Sequence, residues 1–280
     1  MNAELIKGMN DKEYFAIDAL NASTLKAMNN PMVYKYNQGH KASSDAMKIG
    51  TDFHELLLRG VKPEDAKNVA ISDFDSFRSN DAKAWKAEQE AAGKTILKRY
   101  EIESYTADLF EMQETILELD GISEYFNQSW NEVVILWDRV TANGSTIKCK
   151  AKIDAYRERH PLLIDIKTTG KLDKFDSNIF NFGGYIQAAW YLEAVKELDG
   201  IDRTFQFAVV STEKPYQSAL RELELACIAQ GYDEIRDLIE VYVNCRSTGI
   251  WESAYPNKAE TIVTPGWFAA KINSALELEA

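Results

Sequence analysis

Cysteine is scarce in this chain: Cys149, Cys227 and Cys245 are the only three in 280 residues. An odd count with no C-x-x-C spacing argues against a disulfide framework and against a zinc site, and leaves reduced thiols. Three thiolates also fall short of the four that usually hold an iron–sulfur cluster. No window approaches the roughly 18 consecutive apolar residues of a membrane span. The stretch from Met1 to Lys7 lacks the basic-then-apolar order of a secretory signal. These absences lead to a cytoplasmic address with no membrane partner. Basic charge is short as well. With 32 Lys and Arg against 44 Asp and Glu, the net charge is −12, a field that repels a polyanion unless the basic residues are gathered in one place.

They are gathered in part. Lys148, Lys150, Lys152, Arg157, Arg159, Lys167, Lys171 and Lys174 follow one another closely, so a basic groove on an acidic body is expected. The composition, 45% hydrophobic and 27% charged, is that of a globular protein with little room for long disorder. The length allows a substantial core and reads as one domain.

The chain is organised around KCKAKIDAYRERHPLLIDIKTTG, Lys148 to Gly170. Strand alternation puts Lys148, Lys150, Lys152 and Asp154 on one side of the first arm, with Ile147, Cys149, Ala151 and Ile153 on the other. In the second arm, Leu162 to Lys167, Asp165 and Lys167 share a face and Ile164 and Ile166 lie opposite. Pro161 marks the turn between them. If the arms pair antiparallel, Asp154 comes within reach of Asp165, and two facing carboxylates repel unless a cation lies between them. A hard divalent ion, Mg²⁺ or Mn²⁺, suits such oxygen ligands. Lys167 can then orient or deprotonate an attacking water, or offset charge on a pentacovalent phosphate, which makes phosphodiester hydrolysis the chemistry to expect. The bare spacing also describes a solvated hairpin face with surface ion pairs.

Asp154 followed by Asp165-Ile166-Lys167-Thr168-Thr169 resembles the D…(D/E)xK core of the PD-(D/E)xK nuclease superfamily, and the DIKTT run resembles its RecB-like and RecE-like branches. Gly50 to Leu58 resembles the family's G-x-x-x-H helix, and Gln187-Ala188-Ala189-Trp190-Tyr191 its Q-x-x-x-Y helix. The three occur in the family's order over roughly residues 20 to 265, which is more specific than any one of them.

The resemblance implies an α/β fold with a restriction-endonuclease-like core, a central mixed sheet of αβββαβ topology flanked by helices. It implies one nuclease domain over 1–280, with a helical part to about 125, a catalytic core about 126–215 and a helical part about 216–280. The activity implied is that of a divalent-metal-dependent DNA exonuclease of the RecE (exonuclease VIII) type, without an iron–sulfur cluster. Such an enzyme resects double-stranded DNA ends from the 5′ side for phage-type recombination, beside a single-strand annealing protein and as a homo-oligomeric ring. A structure-selective endonuclease of the same superfamily, or a non-catalytic DNA-end-binding scaffold, stays open.

Carried residue by residue, the resemblance gives His54, Asp154, Asp165 and the Ile166 carbonyl as metal ligands (Mg²⁺ or Mn²⁺), and Asp154, Asp165, Lys167, Gln187 and Tyr191 as the catalytic set. Ser23, Lys26, Lys150, Lys152, Gln187 and Tyr191 are the candidate DNA contacts. His54 and Tyr191 also fit simple core packing, Ser23 a plain helix cap, and Lys26 a solvated lysine. Glu132, at a strand start, reads either as a surface strand end or as an accessory acid of the site.

Periodicity supplies the remaining elements. Helices are expected from Ser23 or Asn21 to Met28, over Ala46–Leu58, Ala82–Ala92, Tyr105–Leu119, Tyr185–Leu198 and Tyr232–Arg246. Strands are expected at Glu132–Trp137, Phe205–Ser211 and Arg221–Leu225, with a tight turn at Asn143-Gly144. Asn29-Asn30-Pro31 stops or kinks the first helix, Pro63–Ala82 and Asp173–Gly184 read as loop, and Trp267 and Phe268 as aromatics that pack the domain.

Overall fold

The computed structural model describes residues 3–38, 44–255 and 257–266. Trp267 and Phe268 lie outside the described residues. The N-terminal part runs β1 (Glu4–Ile6), α1 (Asp11–Ala16), α2 (Ala22–Ala27), α3 (Pro31–Asn37), α4 (Asp45–Arg59), β2 (Val69–Ser72), α5 (Asn80–Ala91), β3 (Thr95–Lys98), α6 (Ile102–Leu117) and α7 (Ile122–Asn127). Then follow β4 (Trp130–Val140), β5 (Thr146–Tyr156), β6 (Leu162–Thr169), α8 (Phe175–Asn181), α9 (Gly184–Asp199), β7 (Thr204–Ser211), β8 (Ser218–Glu222) and α10 (Leu225–Thr248).

Six strands form one mixed sheet in the order β1-β4-β5-β6-β7-β8. The pair β6–β7 is parallel and joined through α9, and the other pairs of this sheet are antiparallel. The expected αβββαβ order is therefore present, with β1 and β8 added at the edges. Helices cover both faces. Leu25, Ile186, Trp190 and Ile235 of α2, α9 and α10 bury one face with Ile135, Ile153 and Phe207. Phe53, Leu56, Leu109, Met112 and Ile116 of α4 and α6 bury the other with Ile164, Ile166 and Val210. Leu109, Met112 and Ile116 thus form a core stripe on α6. No helix among the described residues is long and apolar enough to cross a membrane.

Local chemistry fixes the ends of the elements that matter. Between β4 and β5, Asn143 Oδ1 accepts from Ser145 N at 3.0 Å and Gly144 takes φ +81°, a turn open to glycine at little cost. Ser44 Oγ caps α4 by accepting from Met47 N, and Gly60 ends it at φ +67°. Asn21, not Ser23, caps α2, accepting from Thr24 N at 2.8 Å. Asn30 caps the following helix with Pro31 in its first turn, so the proline opens α3 where the sequence suggested a stop or a kink.

Several short elements differ from expectation. The stretch read as a loop at Asp173–Gly184 contains α8, whose Phe175 and Ile179 are buried one turn apart under a polar Asp and Asn sequence. Within Pro63–Ala82 lies β2, which pairs in parallel with β3 across α5 to make a small second sheet. The last strand is Ser218–Glu222 rather than Arg221–Leu225, and α10 begins at Leu225, before Tyr232.

Candidate active site

The site arises where β5 and β6 part. They pair at Ala155↔Ile164 alone, and beyond that rung Ile166 N donates to the Asp154 side chain at 2.9 Å instead of to a strand carbonyl. The exposed edge of β5 is taken up by the N-terminal segment: Leu20 N donates to Lys148 O and Lys150 N to Leu20 O, both at 2.8 Å. Backbone groups freed by the splay thus find partners in the N-terminal segment and in the Asp154 side chain. On the other side of β5 the ladder with β4 skips the Glu132/Asp154 rung, and Glu132 sits at φ +50°, a conformation a non-glycine residue holds only under constraint. Strict alternation would put Ile153 and Ala155 on one face, yet they pack in opposite cores. The irregularity aims Asp154 into the gap.

Asp165 faces it from β6. Its side chain is almost fully buried and its Oδ2 is paired with Lys167 Nζ. Burial pushes the Asp165 carboxyl up to about 6, with the Lys167 ammonium opposing and Asp154 adding to the rise. Burial likewise raises Asp154, against the pull of Lys167 and the Ile166 amide. Lys167 loses charge to burial but gains more from the two carboxylates, so it stays an ammonium. His54, from the opposite core, places Nδ1 3.9 Å from Asp154 Oδ1. Burial, and then Lys167, lower its imidazole to about 4, so at neutral pH it is uncharged and has a lone pair to offer.

Helix α4 reaches this point because Gly50 lets it. A Cβ there would lie 2.9 Å from Thr168 Oγ1 on β6, and His54 follows one turn later. We expect Gly50→Leu to push α4 off β6 and to destabilise the protein by about 1–3 kcal/mol, the usual range for overpacking. Urea unfolding of the variant beside Gly50→Ala, where only the Thr168 hydroxyl must rotate, checks this.

From the other face, Gln187 on α9 directs Nε2 to Asp165 Oδ1 at 3.5 Å and accepts from Lys26 Nζ at 3.3 Å. Tyr191, one turn on, is partly buried against the α9 core, and burial followed by the Asp165 and Asp154 charges raises its phenol. Ser23 is exposed on the same helix as Lys26. The sequence motifs at 54, 154, 165–167 and 187–191 therefore converge on one gap.

Two lysines do not belong there. Lys150 is buried and its Nζ donates to the carbonyls of Tyr14 and Ile17, both at 2.8 Å, so it anchors the N-terminal segment and has no reach to DNA. Lys152 bonds Asp11 at 2.6 Å and Glu132 at 2.9 Å. The expected basic groove is narrower than the sequence suggested, because the β5 lysines are occupied. Glu132 is no surface strand end. Its side chain is 14% exposed, held by Arg59 and Lys152, and its charge acts on both His54 and Asp154. The signal that could have found it is its place across the hairpin from Asp154.

In donor chemistry the site fits a hard divalent cation. Two carboxyls face each other across a gap and a neutral imidazole stands beside them. The donors are not closed into a cage: among the described residues no three of His, Cys, Asp and Glu are grouped tightly enough to hold a metal as they stand. The Lys167 ammonium offsets part of the acid charge.

No curated protein matches the sequence. Among solved structures, a proposed exonuclease from Eubacterium rectale superposes with a TM-score of 0.58 at 12% identity, covering 92% of this chain and 97% of its own. A phage-related exonuclease from Haemophilus somnus 129PT gives 0.35 at 12% identity, over 85% and 99%. The first likeness is one of fold, and the second is too weak to add to it. The family profile described as a PDDEXK-like domain of unknown function (DUF3799) matches residues 21–263, and with that match and the splayed β5–β6 carboxylates together, the chain belongs to this PDDEXK-like family.

Proposed function

We propose that the protein is a divalent-metal-dependent DNA exonuclease acting on double-stranded ends. The observation that carries the reading is the pair of carboxyls, half-buried Asp154 and buried Asp165, facing each other where β5 and β6 part, with Lys167 against the second. Asp154, Asp165, His54 and the Ile166 carbonyl would hold Mg²⁺ or Mn²⁺, which when bound neutralises charge on the phosphate under attack. Lys167 orients the attacking water and offsets the charge that develops on the phosphoryl oxygens. Gln187, tied to both Asp165 and Lys26, fixes the strand relative to the carboxylates, and Tyr191 supports it from the next turn. Ser23 and Lys26 on α2 contact a phosphate. The chain works as a single nuclease domain in the cytoplasm, assembles as a homo-oligomer, and resects 5′ strands for an annealing partner in phage-type recombination.

Digestion of a linear duplex labelled at either end, beside a covalently closed circle, in Mg²⁺, in Mn²⁺ and in EDTA tests this. Metal-dependent loss of the linear substrate alone is expected, with label release giving the polarity. Cutting of the circle would replace the reading with an endonuclease. Binding without cutting in either metal would replace it with an end-binding scaffold.

A further inference from the structure

Beside Lys167 the site opens into a pocket of about 330 Å³, at the lower end of the ~300–1,000 Å³ typical of small-molecule sites. Lys26, Lys167, Phe175, Asn178, Ile179 and Phe182 are among the residues lining it. Among the described residues lining it there is no Asp or Glu, in a chain whose net charge is −12. Phe175 and Ile179 are buried and form an apolar floor, whereas Phe182 is 72% exposed. A large aromatic ring so exposed loses contact with the core, and that position needs a reason.

The backbone beside the ring is closely packed. Gly183 takes φ +65° and a Cβ there would lie 3.0 Å from Lys26 Cδ, and a Cβ on Gly184 would lie 2.8 Å from Ile179 Cδ1. These two close approaches seat the start of α9 against α2 and α8, so the Phe182 ring and the Lys26 ammonium border the same pocket. An ammonium that attracts phosphate, an aromatic face, and an amide from Asn178 are the groups that hold one nucleotide by backbone, base face and base edge.

We infer that this pocket is a nucleobase subsite, in which Phe182 stacks on the base of a single unstacked nucleotide whose phosphate lies toward Lys26 and Lys167. The inference rests on the nuclease reading for the identity of the strand. Phe182 is a binding residue of the substrate site that senses the presence of a base, and stacking makes it tolerant of which base is present.

Binding, measured separately from cleavage, tests the subsite. Fluorescence anisotropy in EDTA, where no strand is cut, compares a labelled thymidylate trimer with a trimer of abasic residues carrying the same phosphates. The wild-type protein is expected to prefer the base-bearing trimer by about tenfold or more, Phe182→Ala to lose that preference, and Phe182→Tyr to keep it. Equal affinity for the two trimers, binding of neither, or an undiminished preference in Phe182→Ala would overturn the subsite. Cleavage of linear duplex in Mn²⁺ by the same preparations reports on the nuclease reading separately. Cleavage without base preference removes the subsite alone, and base preference without cleavage removes the nuclease alone.

Discussion

Lys167→Met is expected to lower single-turnover cleavage of a linear duplex by about 10²–10³-fold, the loss typical when one preorganised charge-stabilising group is removed. Lys167 Nζ contacts the buried Asp165 carboxyl and acts on Asp154 as well. The neighbouring strand lysines are not free to take its place, because Lys150 is tied to Tyr14 and Ile17, and Lys152 to Asp11 and Glu132. Lys26 stands behind Gln187 and is itself pushed down by burial and then by Lys167. Methionine keeps the stem's apolar packing, so a loss of rate reports on the charge and not on a cavity.

The same variant has a signature in pH. Asp165 is raised from 3.8 to about 6, so its share of stability is fully present below its unfolded value near 4 and is lost as pH rises through about 6. Lys167 is the main counterweight to that rise. Without it the Asp165 carboxyl keeps its proton to higher pH, and the window over which metal-free stability declines moves upward. Urea unfolding in EDTA between pH 4 and pH 8 reads that displacement. Full nuclease activity in Lys167→Met would sink the proposed chemistry, whatever the unfolding curves show.

How far the site could be read in the sequence depended on the range of the contacts involved. Asp165 and Lys167 share a face because a strand alternates, and Gln187 and Tyr191 because a helix turns every 3.6 residues; both follow from local periods. Lys150 could not be read that way. Its pattern is that of a polar strand face, yet Tyr14 and Ile17, more than 130 residues distant in the chain, roof it. The turn of Asp154 into the gap is likewise a property of three strands at once. It depends on the missing Glu132 rung and on the departure of β6, and no window of sequence contains both. Helix α8 was hidden for a different reason. Its two buried side chains are too few for a periodic signal among Asp and Asn residues that favour loops.

Asp199→Ala is expected to cost about 3–5 kcal/mol, the penalty of leaving a buried charge without its partner. Asp199 ends α9 and takes hydrogen bonds from Arg203 Nη1 at 2.8 Å, Tyr156 OH at 2.8 Å and Ile201 N at 3.1 Å, with Arg203 Nη2 on its second oxygen. The Arg203 side chain is 0% exposed and its Nε has no hydrogen-bond partner, so the guanidinium depends on this carboxylate. The group is the hinge between α9 and β7, the crossover that brings Gln187 over Asp165. Against a total stability of about 5–15 kcal/mol, the loss is large enough to see at once in a urea melt. Burial pushes the Asp199 carboxyl up, but the bonds from Arg203, Tyr156 and Ile201 outweigh it and hold it at about 2. A depressed carboxyl contributes stability that is present above its unfolded value near 4 and is lost as pH falls toward 2. The gap between wild type and Asp199→Ala should therefore be widest at neutral pH and close on acidification. Replacing both partners, Asp199→Leu with Arg203→Met, should cost less than Asp199→Ala alone, since no buried charge is stranded. A double variant as unstable as the sum of its singles would mean that the two residues contribute independently, and that the ion pair does not hold the crossover.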